Sequence, residues 1–114
     1  MPCGSRAARD RAADGEAAAW LLTDMPGTTS CRSCPGGKPN LYYWYYATQL
    51  LHNMRNKDWE RWNPHVREAL IRAQVHDDGC PNGSWDPSFP SQDRWGTAGG
   101  RLFQTSLSIL TLEV

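Results

Sequence analysis

The sequence predicts an all-α chain on three observations: an aromatic and aliphatic run too long for an ordinary strand, an amphipathic stretch behind a helix-start signal, and a closing apolar segment that follows a turn-rich interval. A first helix is expected from about Ser5 to Leu22, where Ala13, Ala17, Trp20 and Leu21 mark an apolar stripe and Arg and Asp residues take the other side. Gly15 weakens it locally. Residues 24–40 are rich in Gly, Pro, Ser, Thr and Cys, a composition that favours turns, and read as one long loop.

Asn40 then stands where a helix cap belongs, ahead of Leu41-Tyr42-Tyr43-Trp44-Tyr45-Tyr46-Ala47-Thr48-Gln49-Leu50-Leu51. The propensity of the aromatic residues would allow a strand, but the length of the run and the Ala47 and Leu50-Leu51 that follow favour a helix. Its first half is apolar all round, so it is expected to be buried on every flank. Asn56 is expected to cap a short turn carrying Trp59 and Trp62, after which Asn63-Pro64 is a second start signal with proline at the first helical position. That helix should reach about Val75, with Val66, Leu70 and Ala73 on one face and Glu68 paired with Arg72 at i, i+4 on another. Between His76 and Gly100 the chain is again turn-rich, and Arg101 to Val114 returns to an apolar helix through Leu102, Phe103, Leu107, Ile109, Leu110 and Leu112. A shift of about 58 positions lays Tyr45 on Phe103, Ala47 on Thr105, Thr48 on Ser106 and Leu51 on Ile109, a period expected of helical repeats. Glu113-Val114 carries no Gly, Asn or Pro to stop the last helix, which reads as truncation.

Composition narrows the partners. The 114 residues balance 12 basic against 12 acidic side chains, so no net field draws in nucleic acid or an anionic membrane. No segment is apolar and long enough to span a bilayer, and the start lacks the continuous apolar core of a signal peptide. The four cysteines are therefore expected to be reduced thiols in a cytoplasmic protein. Six tryptophans supply more aromatic surface than a small domain usually needs, and that surface requires packing partners.

Taken together, Leu41 to Thr48, Trp59-Glu60-Arg61-Trp62-Asn63, Gln74…Gly83-Ser84-Trp85-Asp86-Pro87 and Gly99-Gly100-Arg101…Thr105-Ser106-Leu107…Leu110 to Val114 resemble the prenyltransferase and squalene-oxidase repeat family of terpenoid cyclases and protein prenyltransferases, and look closest to large bacterial members. The resemblance covers residues 39–114 and leaves residues 1–38 as an N-terminal helix and variable loop. It implies a partial α/α toroid, built of helical hairpins with long Gly/Pro-rich loops. In that family a Gln near the end of an outer helix is followed by Gly-x-Trp in the next turn; Gln74, Gly83 and Trp85, with Asp86 after them, match this pattern at a longer spacing than usual. The types fit a physical role, since an indole can stack on an amide while the amide bonds free backbone groups at a helix end.

The resemblance also frames the chemistry. Tyr42, Tyr43, Trp44, Tyr45 and Tyr46 could line a cavity for an isoprenoid, whose carbocations aromatic faces stabilise, or could be core packing between two layers of helices. Because the tyrosines point in different directions, most of them are expected to be packing. The Asp-x-Asp-Asp acid of squalene-hopene-type cyclases and the Asp, Cys and His zinc set of prenyltransferases are both absent from this chain. Asp77-Asp78 sits in a glycine-containing turn, as a solvated pair. Cys31 and Cys34 have the spacing of half a zinc knuckle, which His76 and Cys80 could complete, but a lone pair of cysteines two apart is a weak signal and free thiols are the plainer account. Trp59, Trp85 and Trp95 could instead stack on sugars, as in carbohydrate-active toroids, with Asp86 and Asp93 the only carboxylates to serve them. The expected role is thus a structural repeat segment without independent catalysis or cofactor, meeting further repeats of a parent chain or other copies through its helix faces; an isoprenoid-binding or isoprenoid-processing module is the alternative.

Overall fold

The computed structural model describes residues 15–16, 19, 21–22, 25–26, 40–88 and 93–114, and they contain helices and no strands, as the sequence predicts for its class. Of the expected first helix, Gly15, Glu16, Ala19, Leu21 and Leu22 are helical, and Leu21, Leu22 and Met25 pack on the core. Ala13, Ala17, Trp20 and most of the loop over residues 24–39 lie outside the described residues.

Helix α1 spans Leu41–Met54 and starts as expected: the Asn40 side chain accepts the Tyr43 backbone N–H at 3.1 Å. It ends at Arg55, which takes a left-handed conformation (φ 48°) and donates its N–H to the His52 carbonyl. Asn56 immediately caps helix α2, Lys57–Ala73, through 3.0 and 3.4 Å bonds from the Asp58 and Trp59 amides, so only two residues join the helices. Asp58 and Glu60 in the first turn and Arg72 in the last complement the helix dipole. Here the structure corrects the sequence: Trp59 and Trp62 belong to the same helix as Val66, and Asn63-Pro64 is an interior position rather than a start. Proline removes one helical hydrogen bond, the one owed to the Glu60 carbonyl, but both residues are exposed and water can satisfy that oxygen. The cap at Asn56 and the unbroken stripe Trp62, Val66, Leu70 outweigh the local proline signal.

Helix α3, Gly96–Leu112, begins five residues before the expected C-terminal helix and ends at Leu112 rather than Val114. Gly100, with φ 67° and ψ −169°, divides it into a first turn and the main helix, and only glycine takes that conformation without strain. The start of α3 is tied to the start of α1 by Asp93. Its Oδ2 accepts the Leu41 N–H at 2.8 Å while its Oδ1 accepts the Trp95 N–H at 2.8 Å. Both helices therefore begin at one end and run the same way, packed together, with α2 returning against α1.

The core is α1 against α2, sealed by Leu21: Leu41, Trp44, Ala47, Leu51, Trp62, Val66 and Leu70 are all buried. At its centre the Trp62 indole donates to Thr48 Oγ1 at 2.9 Å, both side chains fully buried. Helix α1 is not buried on every flank, contrary to the sequence expectation. Tyr42, Tyr46 and Leu50, four residues apart, are 47%, 55% and 37% exposed and form an outer stripe. In α3 the sense is inverted. Gln104, Ser108 and Thr111 are buried, while Leu102 is 80% exposed and Ile109 and Leu110 nearly half. The buried positions Trp44, Thr48 and Leu51 have buried counterparts sixty residues on in Gln104, Ser108 and Thr111, whereas a shift of 58 sets buried Leu51 against exposed Ile109.

Thr48→Val should leave the Trp62 N–H buried without an acceptor and cost about 1–3 kcal/mol, measured by urea unfolding. Pairing it with Trp62→Phe should cost less than the sum of the two single changes, because the orphaned donor is gone. Asp93→Ala, which frees two backbone N–H groups at once, should cost about 1.5–3 kcal/mol in the same assay.

Candidate functional site

Two places collect the residues that the sequence singles out: the loop that follows α2 and the tyrosine-bearing face of α1. The loop turns back through Gly79 to Asn82, closed by Asn82 N–H to the Gly79 carbonyl at 3.0 Å, and returns antiparallel to its own start. Val75 N–H donates to the Ser84 carbonyl at 2.9 Å and Gly83 N–H to the Val75 carbonyl at 2.8 Å, bringing Gln74 opposite Trp85 in a single bridge. The long spacing between Gln74 and Gly83 is thus the length of a small hairpin. Gly83 sits at its end with φ 81°, a conformation that favours glycine.

Gln74, Gly83 and Trp85 do come together, but with the roles exchanged. It is the Trp85 indole that reaches the helix end, donating to the Leu70 carbonyl at 2.8 Å in a buried bond. The Gln74 amide donates instead across the hairpin to the Gly83 carbonyl at 2.9 Å, in an exposed one. The Leu70 carbonyl also accepts the Gln74 backbone N–H at 3.1 Å, so the buried indole adds a second donor to the last turn of α2 and joins the hairpin to it. The clasp extends to α3. Trp85 N–H donates to Thr105 Oγ1 at 3.2 Å, and the Arg101 guanidinium donates to Ser84 Oγ at 2.8 Å and Asp86 Oδ2 at 2.7 Å. Asp86 also accepts the Ser88 N–H at 2.8 Å.

Asp86 and Asp93 are therefore both occupied with anchoring, one on Arg101 and the other buried on two backbone amides, rather than paired across a cleft. The three tryptophans proposed for sugar stacking are dispersed. Trp85 is buried, Trp59 lies edge-on to His52 on the α1/α2 surface with ring centres 5.0 Å apart, and Trp95 is exposed beneath the Arg94 guanidinium. Asp77 and Asp78 are exposed, as expected of a solvated pair. Cys80 is an exposed free thiol in the hairpin turn, and no group of three metal-ligating side chains exists among the described residues; Cys31 and Cys34 lie outside them.

The tyrosines divide. Tyr43 is half-buried and meets the Trp62 ring edge-on, with centres 6.4 Å apart, and Trp44 is buried; these two are packing. Tyr42, Tyr45 and Tyr46 form an edge-to-face series on the outside of α1, with centres 4.9 Å apart for Tyr42 and Tyr46 and 5.1 Å for Tyr45 and Tyr46. The hydrogen bond with the Tyr46 side chain, then the charge of that neighbour, then desolvation raise the Tyr42 hydroxyl above the ordinary tyrosine value. An open groove of about 310 Å3 lies elsewhere, between α2 and the end of α3, with Val66, Ile71 and Leu112 on its walls and Arg67 on its rim. Sequence reasoning missed the anchoring roles of Asp93 and Arg101. The only signal for the first was its place just ahead of the Gly96 helix start, where acids favour helix N-termini.

Trp85→Phe keeps the ring but removes the bond to Leu70, and should cost about 1–3 kcal/mol, whereas Gln74→Ala should cost under about 1 kcal/mol because its bond is exposed; the reverse order in chemical denaturation would contradict the exchanged roles. Tyr46→Phe should bring the Tyr42 titration back toward the ordinary value, read by ultraviolet absorbance. Because the shift favours the neutral hydroxyl in the folded state, its small stabilisation is present below the unfolded tyrosine value of about 10 and is lost as pH rises through the raised one.

Comparison with protein-family models, with curated proteins and with solved structures finds no match to this chain.

Proposed function

We propose that the chain is a structural segment of an α/α toroid, one and a half helical hairpins that complete their packing only against further repeats of a parent chain or further copies of themselves. The observation that carries this is the sixty-residue register: α1 and α3 run the same way and bury equivalent positions, with the antiparallel α2 between them in sequence. A ring of hairpins needs that alternation, with the helix of each repeat presenting the same face as the one before it. The outward apolar residues of both helices, Tyr42, Tyr46 and Leu50 on α1 and Leu102, Ile109 and Leu110 on α3, are the surfaces such neighbours would cover. The Trp85 and Gln74 clasp then serves as the tie between the end of one hairpin and the start of the next helix. No catalytic step is assigned to this segment, and its thiols are assigned to the reducing cytoplasm. Among the described residues, no helix is long and apolar enough to cross a membrane.

A second reading, an isoprenoid-binding module, is favoured by one observation: Tyr42 and Tyr46 are exposed rather than spent on packing, and so are free to contact an apolar ligand. Titration with farnesyl or squalene analogues, followed by tryptophan and tyrosine fluorescence, separates the two. The structural role predicts no saturable change, together with concentration-dependent association in size-exclusion chromatography that Leu102→Lys and Ile109→Lys weaken. A compact monomer at all concentrations, with amides of α3 as protected from hydrogen exchange as those of α1, would sink the repeat-segment proposal.

A further inference from the structure

The open groove of about 310 Å3 between α2 and the end of α3 has a lining divided by chemistry. Val66, 1% exposed and part of the core, gives it a fixed wall, and Ile71 and Leu112 extend the apolar side. Asn63 and Arg67 form the polar side, one turn apart on α2 and so neighbours on its surface. Neither side chain has a hydrogen bond or ion pair with a described residue: Glu68, next to Arg67 in the chain, is taken by Arg72. Thr111 also lines the groove, but its hydroxyl donates to the Leu107 carbonyl, which leaves it only as an acceptor. No acidic side chain lines it.

That division defines an occupant. A guanidinium beside an amide presents several N–H donors and one positive charge, the complement of a carboxylate. A dianionic phosphate would bring one more charge than the lining balances, and a cation would meet Arg67 with no acid to offset the repulsion. Against Val66, Ile71 and Leu112 a hydrocarbon chain removes apolar surface from water. The volume bounds its length: at the roughly 30 Å3 that one water-sized group takes up in a liquid, the groove accepts about ten non-hydrogen atoms, the size of octanoate. We propose that this groove is a binding site for an amphiphilic monocarboxylate of medium chain length, with its headgroup on Arg67 and Asn63 and its chain along Val66, Ile71 and Leu112. Arg67 is exposed, so salt screens the charge contact and weakens binding. The site needs only α2 and α3, and stands whether or not the chain is a repeat segment.

The test is titration of the full chain, labelled with nitrogen-15, with octanoate below its micelle-forming concentration, followed by NMR. Saturable shifts are expected at the amides of residues 63–71 and 111–112, at affinities that fall as sodium chloride is raised. Octanol, which keeps the chain without the charge, and acetate, which keeps the charge without the chain, should each bind at least about tenfold more weakly. Arg67→Gln should also lose about tenfold in affinity while amides away from the groove keep their positions. Arg61→Gln, exposed on the same helix and outside the groove, should bind as the unchanged chain does. No saturable shift at these residues, equal binding of octanol, or full affinity in Arg67→Gln overturns the proposal. Shifts centred on Tyr42 to Tyr46, or tighter binding of octyl phosphate than of octanoate, overturn it as well.

Discussion

The arrangement of the three described helices depends on one carboxylate. Asp93 is buried and ionisable, a combination that folded proteins accept only when the charge is met by donors, and it is met by the Leu41 and Trp95 amides. The first of these is at the N-terminus of α1, where the helix dipole favours a negative charge and backbone N–H groups have no partners of their own. By satisfying that end from fifty-two residues away, Asp93 brings the start of α3 to the start of α1. The shared direction of the two helices and the burial of matching positions on them follow from that placement.

Stability is then divided unevenly. The α1/α2 hairpin, with its two-residue connection, holds nearly all of the buried apolar side chains, and its helices are capped by Asn40 and Asn56. Helix α3 contributes Leu107 and Leu112 to the margin of that core but otherwise docks through Gln104, Ser108 and Thr111 and through the Arg101 and Thr105 contacts to the loop. Polar contacts give direction and little net energy, whereas burial of Leu102, Ile109 and Leu110 would give energy and little direction. The fold uses the first to fix the orientation of α3, and the second stays on its exposed outer face.

Much of this was legible in the sequence, and the misses have physical causes. The caps at Asn40 and Asn56 and the Glu68–Arg72 pair could be read because they depend on residues within one turn of each other. The conflict at Pro64 could not be resolved locally, because the stripe Trp62, Val66, Leu70 that overrides it earns its energy against Leu51 and Thr48 on another helix. The buried face of α3 is not legible for the same reason in reverse: hydropathy marks Leu102 and Ile109, and only the path of the chain from Asp93 puts Gln104 and Ser108 inside. At the clasp the three residues were legible as a group, but which of them reaches the helix end depends on the depth of the hairpin. The longer, buried indole lies where Leu70 can be reached, and the amide does not.

The surplus of tryptophan finds its explanation in these same joints. Among the described residues three are buried: Trp62 reaches from α2 to Thr48 on α1, Trp85 from the loop to Leu70 on α2, and Trp44 packs in the core between α1 and α2. A short chain has few positions at which to build a core, so a side chain that offers both a large apolar area and one directional donor serves packing and registration together. An aliphatic residue would supply only the area, and a smaller polar one only the bond. The aromatic content that the composition shows as an excess is therefore a means by which a small helical assembly fixes the relative placement of its parts.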